Sequence, residues 1–141
     1  MRNIILKSEC RGVDWHSLAA VFERAPLGIR ESEKLKRAFE NSYSRCFAYY
    51  ENHIIGAARA LCDGEYYAAI YDVVVEPEYQ GKGVGKQMMN FLIENLPVAQ
   101  VLLVSVPGKE EFYRKLQFRK NKTAMTRYTN PDKQALAGFI E

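Results

Sequence analysis

The sequence predicts an α/β fold, a mixed, mostly antiparallel sheet of six to seven strands flanked by about four helices. Three observations carry this. Runs with helical spacing and runs of strand formers follow one another along the chain. Two turn signals, Glu51-Asn52-His53 and Asp63-Gly64, join residues 47–50, 54–61 and 66–75 into an antiparallel meander. Beyond it, residues 70–86, IYDVVVEPEYQGKGVGK, run as an apolar strand through a proline corner into a glycine-rich turn that opens a helix.

Residues 4–6 read as a short first strand, and Trp15, Leu18, Ala19 and Phe22 then mark a helix by their spacing. Pro26 and Gly28 end it. A second helix over 33–40 sets Leu35, Ala38 and Phe39 on one face and Lys34, Lys36 and Arg37 on the other. The meander follows, and Tyr71, Val73, Val74 and Val75 are its last strand formers before Pro77, which has no N–H to continue the ladder. From 84 to 95 the apolar residues Val84, Met88, Phe91 and Leu92 recur at helical spacing. Residues 98–106 are nearly continuously apolar, the pattern of a strand buried on both faces, and Pro107 and Gly108 end them. A short helix over 109–116 precedes closing strands at Phe118 and 124–129, and the tail 131–141 reads as a docked last helix or a frayed end. No repeat, low-complexity tract or linker divides the chain.

A chain of 141 residues is about one domain, large enough to bury roughly two thirds of its unfolded surface. Its composition, 48% hydrophobic and 26% charged, is that of a globular protein, and no apolar run approaches the roughly 20 residues of a membrane span. The start, MRNIILKSEC, lacks a long apolar region and a small-residue cleavage site, so the expected location is cytoplasmic. Cys10, Cys46 and Cys62 have no Cys-x-x-Cys spacing, which argues against a disulfide framework and against a metal site. A net charge of +3 with interspersed signs gives no support to a nucleic-acid partner, though it favours a polyanionic small molecule.

That small molecule has a docking place in residues 70–86. The first-turn N–H groups of a helix lack internal partners, and with the glycine turn they present clustered donors and a positive dipole end to an anion. A P-loop would need Ser or Thr after Lys86, where Gln87 stands; a dinucleotide fingerprint would need Gly-x-Gly-x-x-Gly early in the chain, whereas Gly81, Gly83 and Gly85 lie past its midpoint. The spacing Gln80, Gly83, Gly85 resembles the central motif of the GNAT superfamily of N-acetyltransferases. The resemblance runs from the first strand to about Tyr128. It implies a GNAT-like fold with parallel central strands 4 and 5, a single acetyltransferase domain over 1–141, and acetyl-CoA as cosubstrate with no metal. By the same resemblance Gln80, Gly81, Lys82, Gly83, Val84, Gly85 and Lys86 hold the pyrophosphate, and the backbone of Val73, Val74 and Val75 pairs with the pantetheine arm.

A second point of resemblance is EFYRKLQF, residues 111–118, in which Tyr113 stands where the family carries a Tyr near the coenzyme A sulfur, with Phe112 beside it. Gln117 stands where Gly is usual, and Pro107-Gly108 where many members carry an Asn. The chemistry asks for such a group. An alkylammonium of pKa near roughly 10 has no lone pair at neutral pH, so a base must first take its proton. The departing thiolate is then protonated by a phenol within reach, while backbone N–H groups stabilise the oxyanion. Tyr113 is the expected acid. The acidic candidates for the base are Glu65, Asp72 and Glu76; alternation sets Tyr71 and Asp72 on opposite faces unless a bulge intervenes, which disfavours Asp72 and favours a water relay through Tyr71 and Tyr66. Glu76 and Glu78 read as solvated corner residues, and His16 and His53 as helix-face and turn residues. Cys62 carries no activating neighbour, so direct attack in a ternary complex is expected over an acyl-enzyme.

The acceptor is expected among Leu27, Ile29, Tyr66 and Tyr71, with Trp15, Pro26, Gly28 and Tyr67 nearby, walls that suit an apolar or aromatic amine and can cage an ammonium. The expected acceptor is therefore a primary amine, a small amine or an aminoacyl group, with no nucleic acid and no membrane as partner, and the chain is compatible with a homodimer. The rival readings are a catalytically inactive CoA-binding or sensing module and a nucleotide binder.

Overall fold

Five strands form one sheet in the order β1 (Ile5–Lys7), β2 (Ser44–Tyr50), β3 (His53–Cys62), β4 (Tyr67–Val75) and β5 (Gln100–Leu103). Neighbours are antiparallel except β4 and β5, which run parallel, as expected for strands 4 and 5. The computed structural model describes residues 1–141, which divide by their internal packing into two units, Met1–Leu103 and Val104–Glu141. The first holds the sheet with helices α1 (Trp15–Arg24), α2 (Ser32–Glu40) and α3 (Val84–Glu94); the second holds α4 (Glu110–Arg114) and α5 (Pro131–Leu136). No helix is long and apolar enough to cross a membrane.

Helix α1 begins where Asp14 accepts a hydrogen bond from the Ser17 N–H at 3.1 Å, a cap contributing about 1 kcal/mol. Its apolar stripe, Leu18, Val21 and Phe22, meets Leu35 and Phe39 of α2 and the sheet residues Phe47, Ala57 and Val74 in one buried cluster. Trp15 belongs to this core, 5.8 Å from the Phe39 and Phe47 rings, so its aromatic ring is structural rather than part of an acceptor wall. On the other face α3 buries Val84, Met88, Met89 and Leu92. There Gly56 permits close approach, because a Cβ would fall 2.8 Å from the Met88 sulfur and from the Val74 carbonyl oxygen.

The hairpin between β2 and β3 turns on Glu51 and Asn52, both left-handed at φ 47° and 65°, the geometry whose twist matches antiparallel strands. His53 is the first residue of β3 rather than part of the turn. The next reversal is held by Asp63, whose carboxylate accepts from the N–H groups of Glu65, Tyr66 and Tyr67 at 2.7 to 3.0 Å.

Three expectations are corrected. The sheet has five strands, not six or seven, and the chain has five helices, not four. Neither Phe118 nor residues 124–129 form a strand: after the charged stretch Arg119, Lys120 and Lys122 the latter offer little apolar surface to offset the entropy of ordering, and Met125 is 96% exposed. The strand expected over 98–106 is Gln100–Leu103, with alternate residues exposed, because β5 is the last strand of the sheet and pairs with β4 alone. The tail resolves into α5, started by Pro131 and by Asn130, which accepts from the Lys133 N–H at 3.2 Å.

Candidate acetyl-CoA and amine site

β4 outruns its parallel partner. Pairing with β5 begins at Tyr67 with Gln100 and stops at Ile70 with Leu103, so from Tyr71 to Val75 the strand keeps only β3 as neighbour and one edge has no strand beside it. Val73, Val74 and Val75 lie on this stretch; the Val74 side chain is in the core, so only its backbone is available there. A turn of 3-10 helix, Pro77–Tyr79, then carries the chain to Gln80, whose side-chain amide donates to the Val75 carbonyl at 2.9 Å and ties the loop to the strand end.

Gly81 and Gly83 have φ of 76° and 84°, where an L side chain is strained. Gly83 is the N-cap of α3 and supplies no side chain to the helix start, so the N–H groups of Val84, Gly85 and Lys86 have neither an intrahelical acceptor nor a capping side chain. Lys82 and Lys86 flank them, the Lys82 ammonium 5.7 Å from the Tyr79 ring centre. Free N–H donors and the positive end of the α3 dipole meet at this turn, the combination that a pyrophosphate requires. The residues present fit acetyl-CoA: an anion cradle, then a free strand edge able to pair with an amide-bearing chain.

Along the same strand, the bulge named as the exception to alternation is present. Ala57 pairs with Val74 and Arg59 with Tyr71, so β4 advances three residues where β3 advances two, and Asp72 takes a left-handed φ of 56°. Tyr71 and Asp72 therefore do not face opposite ways. Arg59 reaches both, its Nε 2.6 Å from Asp72 Oδ2 and its guanidinium 5.8 Å from the Tyr71 ring centre. Arg30, from the loop between α1 and α2, donates to Asp72 Oδ1 at 2.9 Å. Burial acts to raise the Asp72 pKa, but hydrogen bonds and charge from Arg30 and Arg59 outweigh it and hold the carboxyl below the usual range. Such a carboxylate is a poor base.

Glu76 is buried rather than a solvated corner residue, and both its oxygens receive Arg24 donors at 2.6 Å. Glu65 is exposed and forms no ion pair. Tyr71 is 44% exposed on the α1–α2 face of the sheet; Tyr66 is exposed and its ring lies 6.1 Å from that of Tyr67, not against Tyr71. Leu27 packs on the core while Ile29 is 87% exposed. His16, on α1, and His53, at the start of β3, are exposed. Cys62 Sγ accepts from the Gly64 N–H at 3.2 Å, and burial pushes the Cys46 thiol up to about 12.

Tyr113 and Phe112 sit on α4 in the second unit. Their rings meet edge to face at 4.9 Å, and Phe118 closes the other side at 6.0 Å. Burial raises the Tyr113 pKa, so the phenol keeps its proton at neutral pH. Gln117, in the place of the family's glycine, has φ of 73°, which explains the family's choice.

Arg24, Arg30 and Arg59 were not among the expected site residues. Arg59 alone carried a signal, as a charged residue inside the apolar strand HIIGAARALC, where burial requires a partner.

A family profile for an acetyltransferase (GNAT) domain matches residues 42–120. The chain is 34% identical over 122 residues to the GCN5-related N-acetyltransferase 1, chloroplastic, of Arabidopsis thaliana, covering 83% of this chain and 62% of the relative. It is 32% identical over 131 residues to the serotonin N-acetyltransferase 2, chloroplastic, of Oryza sativa subsp. japonica, covering 88% and 66%. The chain thus spans less than two thirds of either relative. Among solved structures, the GNAT-family acetyltransferase SP0256 of Streptococcus pneumoniae TIGR4 superposes with a TM-score of 0.76 at 23% identity, over 89% of this chain and 98% of the other, a likeness of fold. A glycine turn opening α3 beside a free strand edge, a matching profile over more than half the chain and relatives above 30% identity lead to one conclusion: this chain belongs to the GNAT acetyltransferase family.

Proposed function

We propose that the chain, as one acetyltransferase domain, moves an acetyl group from acetyl-CoA to a small primary amine by direct attack in a ternary complex. The observation that carries the reading is the partnerless N–H cluster at the start of α3 beside the unpaired edge of β4. Residues 80–86 hold the pyrophosphate, Val73, Val74 and Val75 line the pantetheine, and Tyr113, flanked by Phe112, donates the proton to the leaving thiolate. Leu27, Ile29, Tyr66 and Tyr71 receive the amine. The rice relative's naming as a serotonin N-acetyltransferase supports an aromatic amine as acceptor here. With Asp72 and Glu76 each held by arginine, the amine loses its proton to water relayed along the polar groups of β3 and β4 rather than to a carboxylate. The scheme uses no metal and no nucleic acid. Both relatives named above are chloroplastic.

The same engagement of both carboxylates favours a second reading, a CoA-binding or sensing module without catalysis. A thiol-release assay with acetyl-CoA across a panel of amines, beside calorimetry with CoA and with ATP, decides. Amine-dependent release supports the transferase; CoA binding without release from any amine supports the sensor; ATP binding in place of CoA overturns both.

A further inference from the structure

Beyond the packing of Leu27 on the core, Arg30 ties the loop between α1 and α2 to the sheet. Arg30 stacks over Phe22 at 4.4 Å, donates to the Leu27 carbonyl at 3.4 Å, and reaches Asp72 at 2.9 Å. Asp72 is available because the β4 bulge lifts it out of alternation and because Arg59 fixes its other oxygen. The Asp72 side chain is 11% exposed, so the chain of Arg30, Asp72 and Arg59 is largely shielded from water, where removing one partner leaves uncompensated charge. The backbone there is left-handed, at φ 56°, a region that most side-chain-bearing residues resist. Aspartate is among the few residue types that tolerate that conformation, and it alone among them adds a negative charge to meet two guanidinium groups.

From this geometry we infer that Asp72 is a positioning residue for the amine: it latches the loop carrying Leu27 and Ile29 to the strand carrying Tyr71, and so sets amine affinity without touching the reacting atoms. The inference rests on the acceptor assignment proposed above. Three residues from separate elements, the α1–α2 loop, β3 and the β4 bulge, meet at one carboxylate, so loosening it releases the loop as a unit.

The test pairs kinetics with a readout independent of turnover. Asp72→Asn and Asp72→Gly both suit a left-handed φ, so they remove the charge without adding backbone strain. Arg30→Gln is the milder variant, since it leaves the Asp72–Arg59 pair in place. In each, hydrogen exchange of residues 26–31 should quicken, and the amine KM should rise about tenfold while the acetyl-CoA KM stays within about twofold. Asp72→Asn combined with Arg30→Gln should be no worse for the loop than Asp72→Asn alone, because the Arg30–Asp72 contact is already lost in that single change. Unchanged exchange in folded variants overturns the latch. Quickened exchange with an unchanged amine KM overturns the link to amine affinity and moves the acceptor away from this loop. A parent that turns over no amine leaves the exchange result to decide the latch, and marks the failure as that of the proposed activity.

Discussion

Gly83 sits at φ 84°, and a Cβ there would lie 3.7 Å from the Met1 backbone nitrogen, so a larger residue strains the backbone and adds its atoms at the proposed pyrophosphate site. Gly83→Asp adds a negative charge as well. CoA affinity should fall at least about tenfold by calorimetry, and an unchanged affinity would remove the loop from the cofactor site. Tyr113→Phe deletes one oxygen while keeping the ring contacts with Phe112 and Phe118. Turnover should drop by roughly ten to a thousandfold with little change in acetyl-CoA KM, as for a proton donor acting in the transition state. Full activity under saturating amine, with chemistry limiting, would sink that role. Gln117 offers a stability test instead. Its φ of 73° costs a side-chain-bearing residue what glycine avoids, so Gln117→Gly should stabilise by about 0.5–1 kcal/mol, visible as a rise of a few degrees in Tm. A lower Tm would mean that the Gln117 side chain contributes more than its backbone strain costs.

At the scale of elements, the bulge of β4 decides the electrostatics around Asp72. The Asp72 carboxyl has a folded pKa below its unfolded value of about 3.9, so its contribution to stability is complete above that value and is lost as pH falls through the folded pKa. Parent and Asp72→Asn should therefore differ in Tm at neutral pH and converge as the medium is acidified below about pH 4. A gap that persists in acid would show that the variant's loss is not electrostatic. The same element explains how α1 and α2 are placed: Ala57 and Val74 pair across the bulge and both enter the cluster beneath these helices, while Tyr71 continues that face into solvent.

For the whole molecule, the proposed reaction sets carboxylates that are held by arginine beside an amine that must still lose a proton. If water relays that proton, kcat/KM should rise with pH toward the amine's own pKa, and Asp72→Asn should keep that profile while altering the amine KM. An inflection owned by the enzyme that disappears in Asp72→Asn would instead make Asp72 the base. Neither Cys10 nor Cys46 competes as a nucleophile, because burial, the largest influence on each, raises its thiol pKa and keeps it protonated.

The glycine turn, the proline corner and the helix after them were legible in the sequence because each depends on local conformation: Gly83 takes a φ that other residues resist, Pro77 has no N–H, and Val84, Met88 and Leu92 repeat at the period of one helix face. The meander was legible for the same reason, through Asn52 and Asp63 at its turns. Three features were decided only in tertiary structure. The length of β5 depends on how far β4 accompanies it, which an apolar run over 98–106 does not encode. The bulge at Asp72 depends on register against β3, and a slip of one residue changes which side chains share a face. The pairing of Asp72 with Arg30 and of Glu76 with Arg24 spans 42 and 52 residues of chain, so two carboxylates that read as candidate bases become ion-pair anchors only when distant segments are brought within hydrogen-bond reach.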